Sequence, residues 1–261
     1  MELWLLNHFP TAALVMLVVG GFFALAIAGS LLAYRRHPSL VEGEHNDMVG
    51  VVLGMFGAIY GIVLAFVIVN LWTQLEGTQG VVSTEATAVS QIVRDARAFP
   101  PEPRAAVTAA VGEYVHSVVE IQWPLMQQGR GDFERTAEKI EAIYGALRAF
   151  EPQTQTEQVF YEEAVSSLND AVAQRRARIA NSRLALPPLL WILVIGGSLV
   201  ILPLTFLYGI RDRRIRLLFV GSVAGLIGFS LLLVLVLDRP FAGDLCVSPQ
   251  PFKESSLAQF W

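Results

Sequence analysis

Residues 48–75 read MVGVVLGMFGAIYGIVLAFVIVNLWTQL. No Asp, Glu, Lys or Arg interrupts them, and about 20 such residues suffice to carry a helix across hydrocarbon. Inside this stretch the pattern Val49-Gly50-x-Val52-x-Gly54-x-x-Gly57 appears, and it recurs as Val220-Gly221-x-Val223-x-Gly225-x-x-Gly228. Small residues at helical spacing in an apolar span let helix backbones approach closely. Gly50, Gly54, Gly57 and Gly61 share one narrow strip, and Gly221, Gly225 and Gly228 form its counterpart, so helix packing is the expected role of all seven.

Residues 13–34, 189–208 and 217–237 are also free of Asp, Glu, Lys and Arg. Across the 261 residues the hydrophobic fraction of 54% and the mean hydropathy of +0.50 exceed what a soluble domain shows, where apolar residues with glycine make up about 45–50%. The expected class is an all-α integral membrane protein with four transmembrane helices. The start, Met1-Glu2-Leu3-Trp4, has no basic residue and precedes a long apolar run, so the first span reads as an anchor rather than a cleavable signal.

Between the second and third spans, residues 77–186 regain charge and helical spacing. Val107, Val111, Tyr114, Val118 and Ile121 mark one apolar face; Phe133, Ala137, Ile140, Tyr144 and Leu147 a second; Tyr161, Val165, Leu168, Val172 and Ile179 a third. Pro100-Pro101-x-Pro103, Gly129-Arg130-Gly131 and Glu151-Pro152 separate them. The organisation expected is a transmembrane hairpin over residues 1–76, an inserted helical extramembrane domain over 77–186, a second hairpin over 187–237 and a tail over 238–261. Residues 74–99 lack proline, so the second membrane helix should run on beyond the bilayer. Pro187-Pro188 should start the third span, and Pro203 within it marks a packing kink or a hinge.

The short connections carry Arg35-Arg36 and Arg211, Arg213, Arg214 and Arg216. By the positive-inside rule they face the cytoplasm, which puts both termini and the helical domain outside, in a bacterial inner membrane. Arg175, Arg176, Arg178 and Arg183, crowded before the third span, argue the opposite way. The first and third spans also share Leu17-Val-Val-Gly20-Gly21 and Leu193-Val-Ile-Gly196-Gly197, which suggests either two duplicated halves or coincidence of small residues.

A second strip of the second span holds Phe56, Tyr60, Val63, Val67, Asn70 and Gln74, at i, i+4, i+7, i+11, i+14 and i+18. Passing from aromatic to aliphatic to carboxamide, it fits the lining of a narrow pathway gated by dewetting; a lipid-facing strip with interfacial amides is the plain alternative. The spans hold no ionisable residue of the kind that ion-coupled carriers place in mid-membrane. A passive pore needs none. The four histidines, His8, His37, His45 and His116, form no HExxH pair, and neither a GxSxG nor a P-loop occurs. No enzyme, metal site or cofactor is therefore expected. A net charge of -4 without a basic block gives no reason to expect nucleic acid, and the single Cys246 rules out an internal disulfide.

Two helix ends carry specific chemistry. His45-Asn46-Asp47 precedes the second span, and Asp238-Arg239-Pro240-Phe241-x-Gly243 follows the fourth. Asn46 or Asp47 would cap the helix from Met48, or with His45 form an ion site at a pore mouth. The second group predicts an ordered turn at the membrane surface. Together with the long run at 45–72, the Gln122-Trp123-Pro124 element and the tail 237–252, these residues resemble a bestrophin-like domain family of bacterial membrane proteins, labelled a domain of unknown function. The signature residues are His45, Asn46, Asp47, Asp238, Arg239, Pro240, Phe241 and Gly243.

Bestrophins are oligomeric anion channels with four spans per subunit, a helical domain and a hydrophobic neck lined by the second span. The resemblance therefore implies a homo-oligomeric passive ion channel in the lipid bilayer, with small ions as its partners and Phe56 and Tyr60 in the neck. It also implies a cytosolic helical domain, against the arginine count. No acidic cluster matches a calcium clasp. The competing class is a non-conducting scaffold or sensor whose helical domain binds a partner.

Overall fold

A computed structural model of the chain describes residues 2–38 and 43–261, with the side chain of Glu2 left aside; Met1, part of the reading of the N-terminal start, lies outside them. Every regular element among these residues is helical. In chain order they are α1 (Glu2–His8), α2 (Thr11–Arg36), α3 (Asn46–Asp95), α4 (Pro101–His116), α5 (Trp123–Gln127), α6 (Ala137–Arg148), α7 (Gln155–Asn181), α8 (Pro188–Phe206) and α9 (Arg213–Leu237). Four of them, α2, α3, α8 and α9, are long and apolar enough to cross a membrane. The chain forms two compact units, residues 1–73 with 185–238 and residues 74–184 with 239–261.

In the first unit α2 and α9 make the most extensive helix pair. Val220, Ala224, Ile227, Leu231 and Val234 bury one face of α9 at alternating spacings of four and three, the repeat that keeps a seam facing its partner. Glycine makes the approach possible. A Cβ at Gly228 would lie 3.1 Å from the Val19 Cα and 3.2 Å from the Phe22 Cβ, and one at Gly221 would run into the Phe23 ring. α8 starts as its prolines dictate, with Pro187 as N-cap and Pro188 in the first turn, and holds Pro203 near its end.

The second unit packs α4, α6 and α7 with residues 74–95 of α3 and the tail. Val82, Val89, Ile92 and Ala96 are buried, as are Val107, Val111, Tyr114 and Val118. The breaks fall where Pro100 and Gly129 stand: Pro100 is the N-cap of α4, and Gly129 takes φ +68 after α5. Thr154 begins α7 with a capping box, its Oγ1 accepting from the Glu157 N–H at 3.2 Å while the Glu157 carboxylate accepts from the Thr154 N–H at 3.3 Å.

The apolar faces depart from the expected spacing in two places: on α7 the buried line runs through Ala164, Leu168, Ala171, Arg175 and Arg178 while Tyr161, Val165 and Val172 are half-buried, and the first face turns at its end. Ser117–Gln122 forms a π-helical segment just before Trp123-Pro124. A proline donates no backbone hydrogen bond and crowds the carbonyl four residues earlier, and a widened turn relieves both. The extra residue per turn rotates the end of the helix, so Ile121, expected on the buried stripe, is 44% exposed and Gln122 is buried instead.

The tail is an integral part of this second unit. Phe241, Ala242, Val247, Phe252 and Leu257 are buried. The turn expected at Pro240-Phe241-x-Gly243 is present: Gly243 takes φ +83, and the Val247 N–H donates to the Pro240 carbonyl at 2.8 Å.

Candidate functional site

At about 100° per residue, the six strip residues of α3 divide along their own midline. Tyr60 and Val67 fall on one flank and are buried; Phe56, Val63 and Asn70 fall on the other, where Phe56 and Asn70 are exposed and Val63 is half-buried. Gln74 is half-buried, and its Nε2 is buried without a hydrogen-bond partner. Tyr60, Leu64, Val67, Leu71 and Leu75 form the buried arc. Beyond Phe56, Met55, Ile59, Ile62, Phe66 and Val69 continue an apolar surface that the chain's own helices leave open.

Tyr60 is a fastening between helices. Its hydroxyl donates to the Val194 carbonyl of α8 at 2.6 Å, and its ring occupies the space over Gly197, where a Cβ would run into it. Interhelical hydrogen bonds in lipid contribute about 0.6 kcal/mol on average. The close ring contact adds dispersion that any side chain at position 197 would abolish.

The seven repeat glycines take different environments within the protomer. Gly221 and Gly228 receive α2 side chains, and a Cβ at Gly50 would lie 3.5 Å from the Tyr208 ring. Gly54, Gly57, Gly61 and Gly225 have no neighbour within 4 Å of a Cβ position. Gly57 and Gly61 instead line an apolar cleft of about 360 Å³ with Leu64, Ile201, Val223 and Ile227.

Two signature residues staple opposite ends of the α8–α9 hairpin. The Asn46 amide donates to the Gly209 carbonyl at 2.9 Å and its oxygen accepts from the Gly209 N–H at 2.8 Å, so the start of α3 is tied to the α8–α9 turn. Asn46 thus serves a neighbouring turn in place of the expected helix cap; α3 begins at Asn46 itself, with Asp47 in its first turn. His45 and Asp47 are exposed. At the other end the buried Asp238 carboxylate accepts from the Leu186 N–H, just ahead of α8. Arg239 Nη1 lies 3.5 Å from the Leu184 carbonyl.

The second unit holds an ionic core that the spacing of apolar residues does not reveal. Glu85 of α3 and Arg178 of α7 are both fully buried. Arg178 donates from Nε to Glu85 Oε2 at 2.6 Å and from Nη2 to Oε1 at 3.0 Å, and Nη2 also reaches Gln122 Oε1 at 2.9 Å. The Tyr114 hydroxyl donates to Glu85 Oε1 at 2.5 Å. Arg175 donates to the Phe133 carbonyl at 2.6 Å and to Thr136 Oγ1 at 3.1 Å. Such a set is tolerable away from water because its charges are paired and hydrogen-bonded, with Arg175 Nε alone among these arginine nitrogens left buried without a partner.

Aromatic rings close over it. The Arg178 guanidinium lies 6.0 Å from the Trp123 ring and 5.9 Å from that of Phe252, while Trp123 meets Phe241 edge-on at 5.4 Å. Burial drives the Tyr114 hydroxyl well above its ordinary range, and the Glu85 charge adds to it. Burial alone would lower Arg178, but the Glu85 carboxylate more than offsets it and the guanidinium stays firmly charged. The Gln122-Trp123-Pro124 element and the tail residues Phe241 and Phe252, far apart in the sequence, thus surround one buried ion pair.

The sequence does carry a signal for this core. Thr78, Val82, Glu85, Val89, Ile92 and Ala96 run at spacings of four and three, as do Ala164, Leu168, Ala171, Arg175 and Arg178. A charge standing in register with an apolar stripe marks a buried partner.

A family model described as Bestrophin-like domain matches residues 20–252. No curated protein and no solved structure matches the chain.

Proposed function

The chain belongs to the Bestrophin-like domain family, and from that premise we propose that it is a homo-oligomeric passive ion channel whose pathway is lined by the open edge of α3, at Phe56, Val63 and Asn70. The observation that carries this reading is the exposure of a membrane-length apolar face on α3 that ends in a carboxamide. Phe56, Val63 and Asn70 repeat every seven residues, with Ile59, Phe66 and Thr73 interleaved, which is the pattern of a helix that meets copies of itself. Tyr60 and Val67, turned toward the protomer's own helices, support the lining from behind. His45 and Asp47, exposed at the start of α3, stand at the mouth of such a pathway. No chemical turnover, cofactor or nucleic acid enters this reading.

The proposed setting is the bacterial inner membrane with the helical domain outside the cytoplasm. Burial of Arg175 and Arg178 supports that orientation, because arginines used inside a folded domain are not the loop charges that the positive-inside rule counts. Burial raises the thiol pKa of the half-buried Cys246 and so slows its labelling. A Gln153→Cys, Cys246→Ser variant labelled by an impermeant thiol reagent in intact spheroplasts tests the orientation: labelling without lysis is expected, and labelling only after lysis contradicts it.

Purified protein in liposomes tests conduction. Flux above empty vesicles for at least one small ion is the expected result, and silence across anions, cations and pH contradicts it. One observation favours the second reading, a partner-binding sensor. The helical domain has an open cleft of about 830 Å³ lined by Arg97, Arg104, Thr108, His116 and Phe260. A silent membrane part with a ligand in that cleft would support it.

A further inference from the structure

The α8–α9 connection, the first turn of α9 and the last turns of α2 form an open pocket of about 230 Å³ lined by Leu31, Tyr34, Arg35, Arg211, Arg213 and Arg216. Four of these six residues are arginines. Among the described residues no carboxylate forms an ion pair with any of them. The nearest acid in sequence, Asp212, is committed elsewhere, its Oδ1 accepting from the Arg214 N–H at 2.7 Å and the Ile215 N–H at 3.2 Å to cap α9.

Arg216 makes the cavity more than a cluster of surface charges. It is only 4% exposed, its guanidinium lies 3.6 Å from the centre of the Tyr34 ring, and its buried Nε has no hydrogen-bond partner. A guanidinium N–H held away from water without an acceptor is costly, and the ring face supplies attraction but no lone pair. The donor set calls for an anion. A carboxylate satisfies one planar fork, whereas several forks from two helices suit a tetrahedral group with three or more oxygens. The volume admits such a group with residual waters, each needing about 30 Å³.

Its depth is also informative. α2 has 26 residues, a length of roughly 39 Å at 1.5 Å per residue, against a hydrocarbon core of about 30 Å. Arg35 in its last turn therefore reaches headgroup level. We propose that this cavity binds a phosphate group, presented by an anionic lipid headgroup or as free phosphate.

The test titrates full-length protein in an uncharged detergent, by calorimetry, with inorganic phosphate, dihexanoyl phosphatidate and, as control, dihexanoyl phosphatidylcholine. Arg211→Gln with Arg213→Gln, both exposed and free to change without disturbing packing, should weaken binding by about tenfold or more. Should Arg216→Gln fold, it should show the same loss. Phosphatidate and phosphate both bound and both weakened assigns the site to the phosphate group itself; phosphatidate alone assigns it to a lipid, and phosphate alone to the free anion. Binding of neither phosphate nor phosphatidate, phosphatidylcholine bound as tightly as phosphatidate, or affinity unchanged in the exposed double variant overturns the proposal.

Discussion

Arg178 on α7 grips Glu85 on α3 with two hydrogen bonds of 2.6 and 3.0 Å, both side chains fully buried. The two residues are 93 positions apart, and the pair joins the C-terminal part of α3 to α7 within the second unit. Removing one member leaves the other buried without its counter-charge, held only by Tyr114 in the case of Glu85 or by Gln122 in the case of Arg178. Arg178→Met or Glu85→Gln should therefore cost about 3–5 kcal/mol of stability, read from thermal unfolding of the full chain in detergent. Arg178→Lys should recover little, because an ammonium cannot reproduce the fork. The double variant Glu85→Gln with Arg178→Met should cost much less than the sum of the single changes, and simple additivity would contradict the pairing.

Tyr114 makes the same core sensitive to alkali. Burial, and next the Glu85 charge, raise its pKa in the folded state well above the ordinary tyrosine value. A raised folded pKa means that its contribution is fully present below the unfolded value and is lost as pH climbs above it. Stability should thus fall above about pH 10. Tyr114→Phe should cost about 1.5–3 kcal/mol at neutral pH, the value of a hydrogen bond to a charged acceptor, and should flatten the alkaline fall. An unchanged alkaline limb in that variant would assign the loss to other groups.

The glycines predict a contrast between packed and open positions. Gly228→Val should disrupt the α2–α9 pair, since Val19 and Phe22 already lie within 3.2 Å of where the first added carbon would stand. Gly54→Val meets open space and should leave the protomer folded. If Gly54 is used between copies of the chain, its variant should elute as a smaller assembly while unfolding at the wild-type temperature. Equal damage from both changes would mean that the two glycine patterns do one job.

Tyr60 and Gly197 form a lock that is testable from either side. Tyr60→Phe removes only the hydrogen bond to Val194 and should cost about 0.6 kcal/mol, up to about 1.7. Gly197→Leu pushes the ring out of its seat and should cost more. Pairing Gly197→Leu with Tyr60→Ala should restore part of that loss, and no recovery would show that the ring is not what fills the space.

The four helices long and apolar enough to cross a membrane are legible in the sequence because charge is absent from them and returns sharply outside them. The helical class of residues 77–186 is legible from their apolar stripes and from Pro100 and Gly129. What the residues hide is hidden for physical reasons. The π-helical turn before Pro124 shifts the register by one residue, so periodicity selects Ile121 where geometry buries Gln122. Arg175 and Arg178 read as loop charges because a buried arginine is rare; only their register with Leu168 and Ala171 marks them as interior. The strip on α3 reads as one face, but its width straddles the line where α8 meets the helix, and contact with Val194 and Gly197 cannot be inferred from α3 alone.

Conduction along the open edge of α3 is tested most directly by single cysteines at Phe56, Val63 and Asn70, made in a Cys246→Ser background and reconstituted in liposomes. A charged, membrane-impermeant thiol reagent should change ion flux at Asn70→Cys, and with a smaller reagent at Val63→Cys and Phe56→Cys, while Leu64→Cys on the buried arc stays inert. Flux that is absent from the start, or that ignores modification at all three positions, would contradict a pathway along this edge.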